Sequence, residues 1–229
     1  MINPIYYLYK MNSSLKKVIE DNIGFYKKLN KNDKRKFEYR ISRFIKAHKF
    51  IGREEVVITP VKQVIIASIA VMVTFRMRNY LYDHFKNIIV YPGNYLSSTT
   101  QHYHKGETNP RAQAIVFSWK GLVDGIKIPN DNLNLGIHEF THALYFSFLQ
   151  QSSYEASHFI DDYDKILNYL KNPIQKQKLL DAVYFREYAF ENQHEFLAVI
   201  TENYFETPAD FHTKLPKLFL LVNRLYGIY

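Results

Sequence analysis

Leu135-Gly136-Ile137-His138-Glu139-Phe140-Thr141-His142-Ala143-Leu144 is the most informative stretch of the 229-residue chain, because it carries H-E-x-x-H inside an apolar run. On a helix, residues i and i+4 stand one turn apart on a single face. The imidazoles of His138 and His142 can then converge on one zinc ion at about 2.0–2.1 Å. Glu139 is rotated from His138 by about 100° around the axis. It lies beside such an ion without ligating it, placed to take a proton from a metal-activated water. Leu135, Ile137, Phe140 and Leu144 are apolar, so the helix is expected to be buried around the site. Two core histidines hydrogen-bonded to neighbours are the competing reading; the spacing and the apolar context favour the metal.

Outward from this stretch, a helix is predicted from near Leu133 through Phe148, with Asp131 or Asn132 as its cap. A metzincin would have Gly at 145 and His at 148; Tyr145 and Phe148 stand there, which excludes that class. A catalytic zinc takes three protein ligands and keeps one position open for water. The chain has no cysteine, so every ligand must be His, Asp or Glu. The best source of the third is Glu191 to Glu202. Positions 191, 195, 198 and 202 share one helical face, which carries three carboxylates around Ala198. Acids aligned on a half-buried helix repel one another unless a cation lies there. His194 is the main rival ligand on the same segment and His158 a weaker one. His102 and His104 read as an exposed loop pair.

The rest of the chain reads as α+β, with many helices and few short strands. The first fifty residues are predicted helical, with Ser13 or Ser14 as a cap and a turn at 30–33. Strands are expected at Val56–Thr59, Ile88–Tyr91 and Ala114–Ser118. A buried helix is expected from Val61 to Met77, and a loop or irregular hairpin over Leu96–Arg111. Further helices are expected at Phe159–Leu170, over most of Ile174–Phe190, at Asn192–Phe205 and at Leu215–Tyr226. The longest apolar run, Val64 to Phe75, is twelve residues, short of the ~20 that span a bilayer. The N-terminus has no secretory pattern, so the expected location is the cytoplasm. Residues 1–229 are expected to form a single domain, with a basic helical region over 1–55 and a catalytic core over 56–229. From Lys27 to Lys49 there are ten Lys/Arg and two acids, an excess equal to the whole net charge of +8. Phe37, Ile41, Phe44 and Ile45 recur at helical spacing between these charges, which reads as a solvated amphipathic helix. No direct nucleic-acid contact and no membrane contact are expected.

Several separated segments, in order, resemble a known family. Phe25-Tyr26-Lys27-Lys28-Leu29 with the basic helix, Phe50-Ile51-Gly52, Val90-Tyr91-Pro92-Gly93, Phe117-Ser118-Trp119, His138-Glu139-Phe140, and Glu195-Phe196-Leu197-Ala198-Val199 with Glu202 and Tyr204-Phe205 are similar to the Mlc titration factor A (MtfA) family of zinc peptidases. The resemblance spans about residues 25 to 212. It implies a mainly helical zincin-like metallopeptidase fold with a small, short-stranded sheet, and a gluzincin-type site with one Zn2+. His138, His142 and Glu195 match the family's metal ligands, Glu139 its general base, and Tyr188 a tyrosine that stabilises the oxyanion. The family has Asp three residues after the second histidine, where this chain has Tyr145. A carboxylate contact behind the ligands is therefore lost there or made by another group.

The expected activity is hydrolysis of peptide or small arylamide bonds, with an aminopeptidase-like enzyme among the expectations. The alternative is a binding regulator that sequesters a transcriptional repressor, with peptidase activity weak or secondary, as the family's name implies.

Overall fold

The computed structural model describes residues 9–97 and 99–229. Three helices open it: α1 (Ser13–Asn22), α2 (Gly24–Lys28) and the basic α3 (Lys31–Ala47). Strand β1 (Lys49–Gly52) and the apolar helix α4 (Pro60–Val73) follow. Next come β2 (Asn87–Tyr91), the hairpin β3 (Tyr95–Leu96) and β4 (Tyr103–His104), β5 (Gly106–Asn109) and β6 (Ala114–Ser118). The remainder is helical: α5 (Trp119–Lys127), α6 (Leu135–Leu149), α7 (Tyr154–Lys171), α8 (Pro173–Asp181), a 3₁₀ turn (Glu187–Phe190), α9 (Gln193–Glu206), α10 (Pro208–Lys214) and α11 (Pro216–Tyr226). The architecture is mainly helical α+β, as the sequence indicated. No helix of the described residues is long and apolar enough to cross a membrane.

The four-stranded sheet has the order β1-β2-β6-β5. β1, β2 and β6 are parallel, with Ile51 opposite Ile89 and Ile89 opposite Val116. β5 runs antiparallel to β6 at the edge. All five residues of β6 are buried, as a strand covered on both faces should be. α6 packs against α4, α9, β5 and β6, which puts the H-E-x-x-H helix in the middle of the molecule. On its core side, the ring of Phe140 lies 5.2 Å from Tyr82, 5.3 Å from Phe117 and 5.8 Å from Phe44, centroid to centroid. Truncating such a buried aromatic costs about 3–5 kcal/mol, so this cluster pins the register of α6, and with it the direction of the neighbouring Glu139.

The structure departs from the sequence reading where tertiary contacts override local pattern. Residues 56–59 are extended coil; β1, seven residues earlier, takes the place beside β2. α4 ends at Val73, short of Met77. There the Arg40 guanidinium donates to the carbonyls of Thr74, Phe75 and Met77 at 3.1, 3.0 and 2.7 Å and turns the chain away. Asn12 caps α1 in place of Ser13 or Ser14. Asn134 caps α6 in place of Asp131 or Asn132. α7 starts at Tyr154, and helix breaks after Asp181. The 96–111 stretch holds the β3–β4 hairpin and the edge strand β5.

Candidate metal centre

Two helices build the site. α6 begins where the Asn134 side chain accepts from the Ile137 N–H at 3.1 Å, and α9 where Asn192 accepts from His194 and Glu195 N–H at 2.9 and 3.1 Å. α6 presents His138 and His142 one turn apart. α9 presents Glu195 and Glu202 seven residues apart on one face. Nε2 of His138 and of His142 lie 3.1 Å from each other. The Glu195 carboxylate lies 3.0 Å from the first and 3.4 Å from the second. One ligand atom from each residue falls within 4.8 Å of the others, a set able to hold a metal ion.

The donor chemistry fits a cation. Nδ1 of His138 is 2.7 Å from Oε1 of Glu202, so that nitrogen carries the proton and Nε2 offers its lone pair. Oε2 of Glu195 is buried without a hydrogen-bond partner, although His138 Nε2 is near it. Two imidazole nitrogens and a carboxylate oxygen crowded together need a shared positive centre. Burial alone would lower the pKa of His138, but the carboxylates of Glu195 and Glu202 on either side of the ring outweigh burial and raise it to about 10. Burial would raise Glu195, and the two histidines hold it well below the usual carboxylate range instead.

Glu139 is buried beside the three candidate ligands and outside their set. Burial pushes its carboxyl up, while His138, His142 and a 2.8 Å hydrogen bond from the Thr108 hydroxyl on β5 pull it down. The edge strand approaches so closely that a Cβ on Gly106 would sit 2.6 Å from Oε1 of Glu139. Only glycine leaves room for the carboxylate here. Tyr188, on the 3₁₀ turn, is partly exposed and its ring lies 6.0 Å from that of His138. Burial and then the negative charge of Glu195, to which its hydroxyl hydrogen-bonds, push that hydroxyl above its ordinary pKa.

The structure thus brings His138, Glu139, His142, Tyr188 and Glu195 together. His194 stands apart from the three-residue set, its ring against Tyr145 and Phe146 at 5.0 and 5.6 Å. Glu191 is exposed, and the ring of His158 on α7 lies 3.7 Å from that of Tyr154, tilted against it. His102 is exposed, and His104 bonds the Thr100 hydroxyl at 2.6 Å. Tyr145 offers no carboxylate; the carboxylate behind a histidine of the set is Glu202, behind His138. Glu202 is 1% exposed. It accepts from Arg186 at 2.7 and 3.1 Å and from the backbone N–H of Asn134 at 2.9 Å, as a buried charge requires. Arg186 and Thr108 are supporting residues that the sequence reading did not identify. Nothing local marks either one, since both act across elements far apart in the chain.

A helix-borne pair of histidines with an intervening buried glutamate, closed by a carboxylate from a later helix, is the kind of centre found in metallopeptidases. The chain belongs to the glucose-regulated metallo-peptidase M90 family, whose sequence profile matches residues 7–227. It is also similar to a protein of Synechocystis sp. named Uncharacterized protein slr2042, with 23% identity over 231 aligned positions covering 91% of this chain and 82% of that relative.

Proposed function

We propose that the chain is a zinc-dependent peptidase acting on peptide or arylamide bonds, with His138, His142 and Glu195 as metal ligands. The observation that carries this reading is the convergence of those three side chains with Glu139 buried alongside. Zinc bound there supplies a Lewis acid for the scissile carbonyl and an acidified water. Glu139 accepts the proton given up by the attacking water and delivers it to the departing amine. The Tyr188 hydroxyl donates to the carbonyl oxygen as negative charge builds on it. Glu202 fixes the Nδ1 proton of His138 and so keeps Nε2 available. Residues 1–229 act in this reading as one peptidase domain, with aminopeptidase-type substrates among those expected. Hydrolysis of an amino-acid arylamide panel tests it: wild type should turn over substrates and Glu139→Gln should not, at equal zinc content. Equal activity in the two proteins would remove Glu139 from the reaction.

A second reading, a regulator that captures a transcriptional repressor, draws on a basic depression beside α3. Lys10, Lys16, Lys31, Lys34 and Arg35 line it. Glu139→Gln protein that still captures such a partner would show two separable functions; a protein that captures none leaves the peptidase reading alone.

A further inference from the structure

We propose that the substrate of this site carries a large apolar side chain next to the bond that is cut, and that this side chain lies between Ile128, Leu133 and Tyr103. The proposal rests on the peptidase reading for the reaction and on a separate observation for the specificity. A cleft of about 410 Å³ runs up to His138 and Glu139, within the range of small-ligand sites. Among the described residues, exposed large apolar side chains are scattered over the surface. Four of them meet in this cleft: Tyr103 at 74%, Leu133 at 55%, Ile128 at 50% and Tyr188 at 41% exposure. Single exposed apolar residues are ordinary, whereas a contiguous group marks a place where something apolar binds.

The floor of the cleft is apolar too. Leu135 sits one turn before His138 on the same helical face. Its two methyls lie where a Cβ on Gly106 or Gly121 would come within 2.7 or 2.8 Å, so the two glycines let it sink between them. The carboxylates on the walls are already engaged. Asp124 pairs with Lys120 at 2.8 Å, Asp131 accepts from the Leu133 N–H at 3.0 Å, and Glu202 is held by Arg186. Lys105 and His104 also line the cleft; the rest of the unengaged lining beside the reacting centre is chiefly hydrocarbon. A Leu, Phe or Met side chain gains by burial there. An Asp or Lys side chain would lose hydration against apolar walls, and the selectivity expected is about tenfold to a hundredfold.

Two measurements test this. In the first, zinc-loaded wild type digests a mixed pool of synthetic peptides and the cut sites are read by mass spectrometry. Large apolar residues should dominate one position flanking the cut. Ile128→Asp and Leu133→Asp, both at exposed positions, should lower kcat/KM for the Leu and Phe peptides about tenfold and raise it for Lys peptides. That reversal cannot arise from misfolding. In the second, fluorescence anisotropy measures binding of Leu, Asp, Lys and Gly peptides to Glu139→Gln protein. Tighter binding of the Leu peptide, weakened by Leu133→Asp, supports the proposal even if no peptide is cut, an outcome that would refute only the peptidase reading. Preference for acidic, basic or glycine peptides, or a preference unmoved by both substitutions, overturns the proposal.

Discussion

Oε1 of Glu202 lies 2.7 Å from Nδ1 of His138, while the other oxygen of the same carboxylate receives the backbone N–H of Asn134 at 2.9 Å. One side chain on α9 therefore orients a histidine of the metal set and anchors the first residue before its helix. Glu202→Ala should lower metal affinity about 10- to 100-fold. Glu202→Gln should lose less, because its amide oxygen can still accept from Nδ1 of His138. Competition with a chelator of known affinity checks this, and unchanged affinity in Glu202→Ala would remove the residue from the site.

Thr108 tunes the buried carboxyl of Glu139. Burial raises that group's pKa and the Thr108 hydrogen bond opposes the rise. In the proposed reaction Glu139 must be ionised to take a proton, so the rate should fall as pH drops through its pKa. Thr108→Val removes a contact that lowers the pKa, so the acid limb of kcat/KM against pH should move to higher pH, with zinc content unchanged. A limb in the same place would mean that another group controls it.

These two contacts mark the boundary of what the amino-acid sequence alone conveys. H-E-x-x-H spacing is local, so His138, Glu139 and His142 could be read directly, and the acidic face of α9 narrowed the search for their partner to a few carboxylates. Residue pattern alone does not divide the labour between Glu195 and Glu202; the family resemblance points to Glu195, and nothing local gives Glu202 its place behind His138. The division depends on how α9 is placed along α6, which the core packing around Phe140 and Phe196 sets. β5 was hidden for a related reason. Gly-Glu-Thr-Asn has no alternating apolar pattern, because one side of the strand faces a carboxylate instead of a core. The cap of α6 shows the same limit. Asp131, Asn132 and Asn134 are all competent caps, and Glu202, 68 residues away, selects Asn134.

Tyr188→Phe should retain zinc and substrate affinity while kcat falls by about 10²–10³-fold, the usual loss when one oxyanion donor is removed. Steady-state kinetics separate the terms. A rise in KM with kcat intact would assign Tyr188 to ground-state binding.

Glu206 offers a prediction about stability. Burial raises its carboxyl from 4.5 to about 7, partly offset by a 2.9 Å hydrogen bond from Asn134. The folded state thus holds a proton that the unfolded chain releases between these values. Stability therefore falls as pH rises through that window. Glu206→Gln removes the loss and keeps the acceptor. Its melting temperature should exceed that of wild type by about 2–4 °C at pH 8, the shift that ~1 kcal/mol produces at this chain length. The difference should close by about pH 4.5. A constant offset at every pH would show that ionisation is not the cause.

The most direct measurement is metal stoichiometry by elemental analysis of wild type, His142→Ala and Glu195→Ala, each reconstituted with zinc and then dialysed. The account expects one zinc per chain in wild type and a marked loss in both variants, with the fold retained by circular dichroism. Wild type that takes up no zinc, or full stoichiometry in Glu195→Ala, would contradict it.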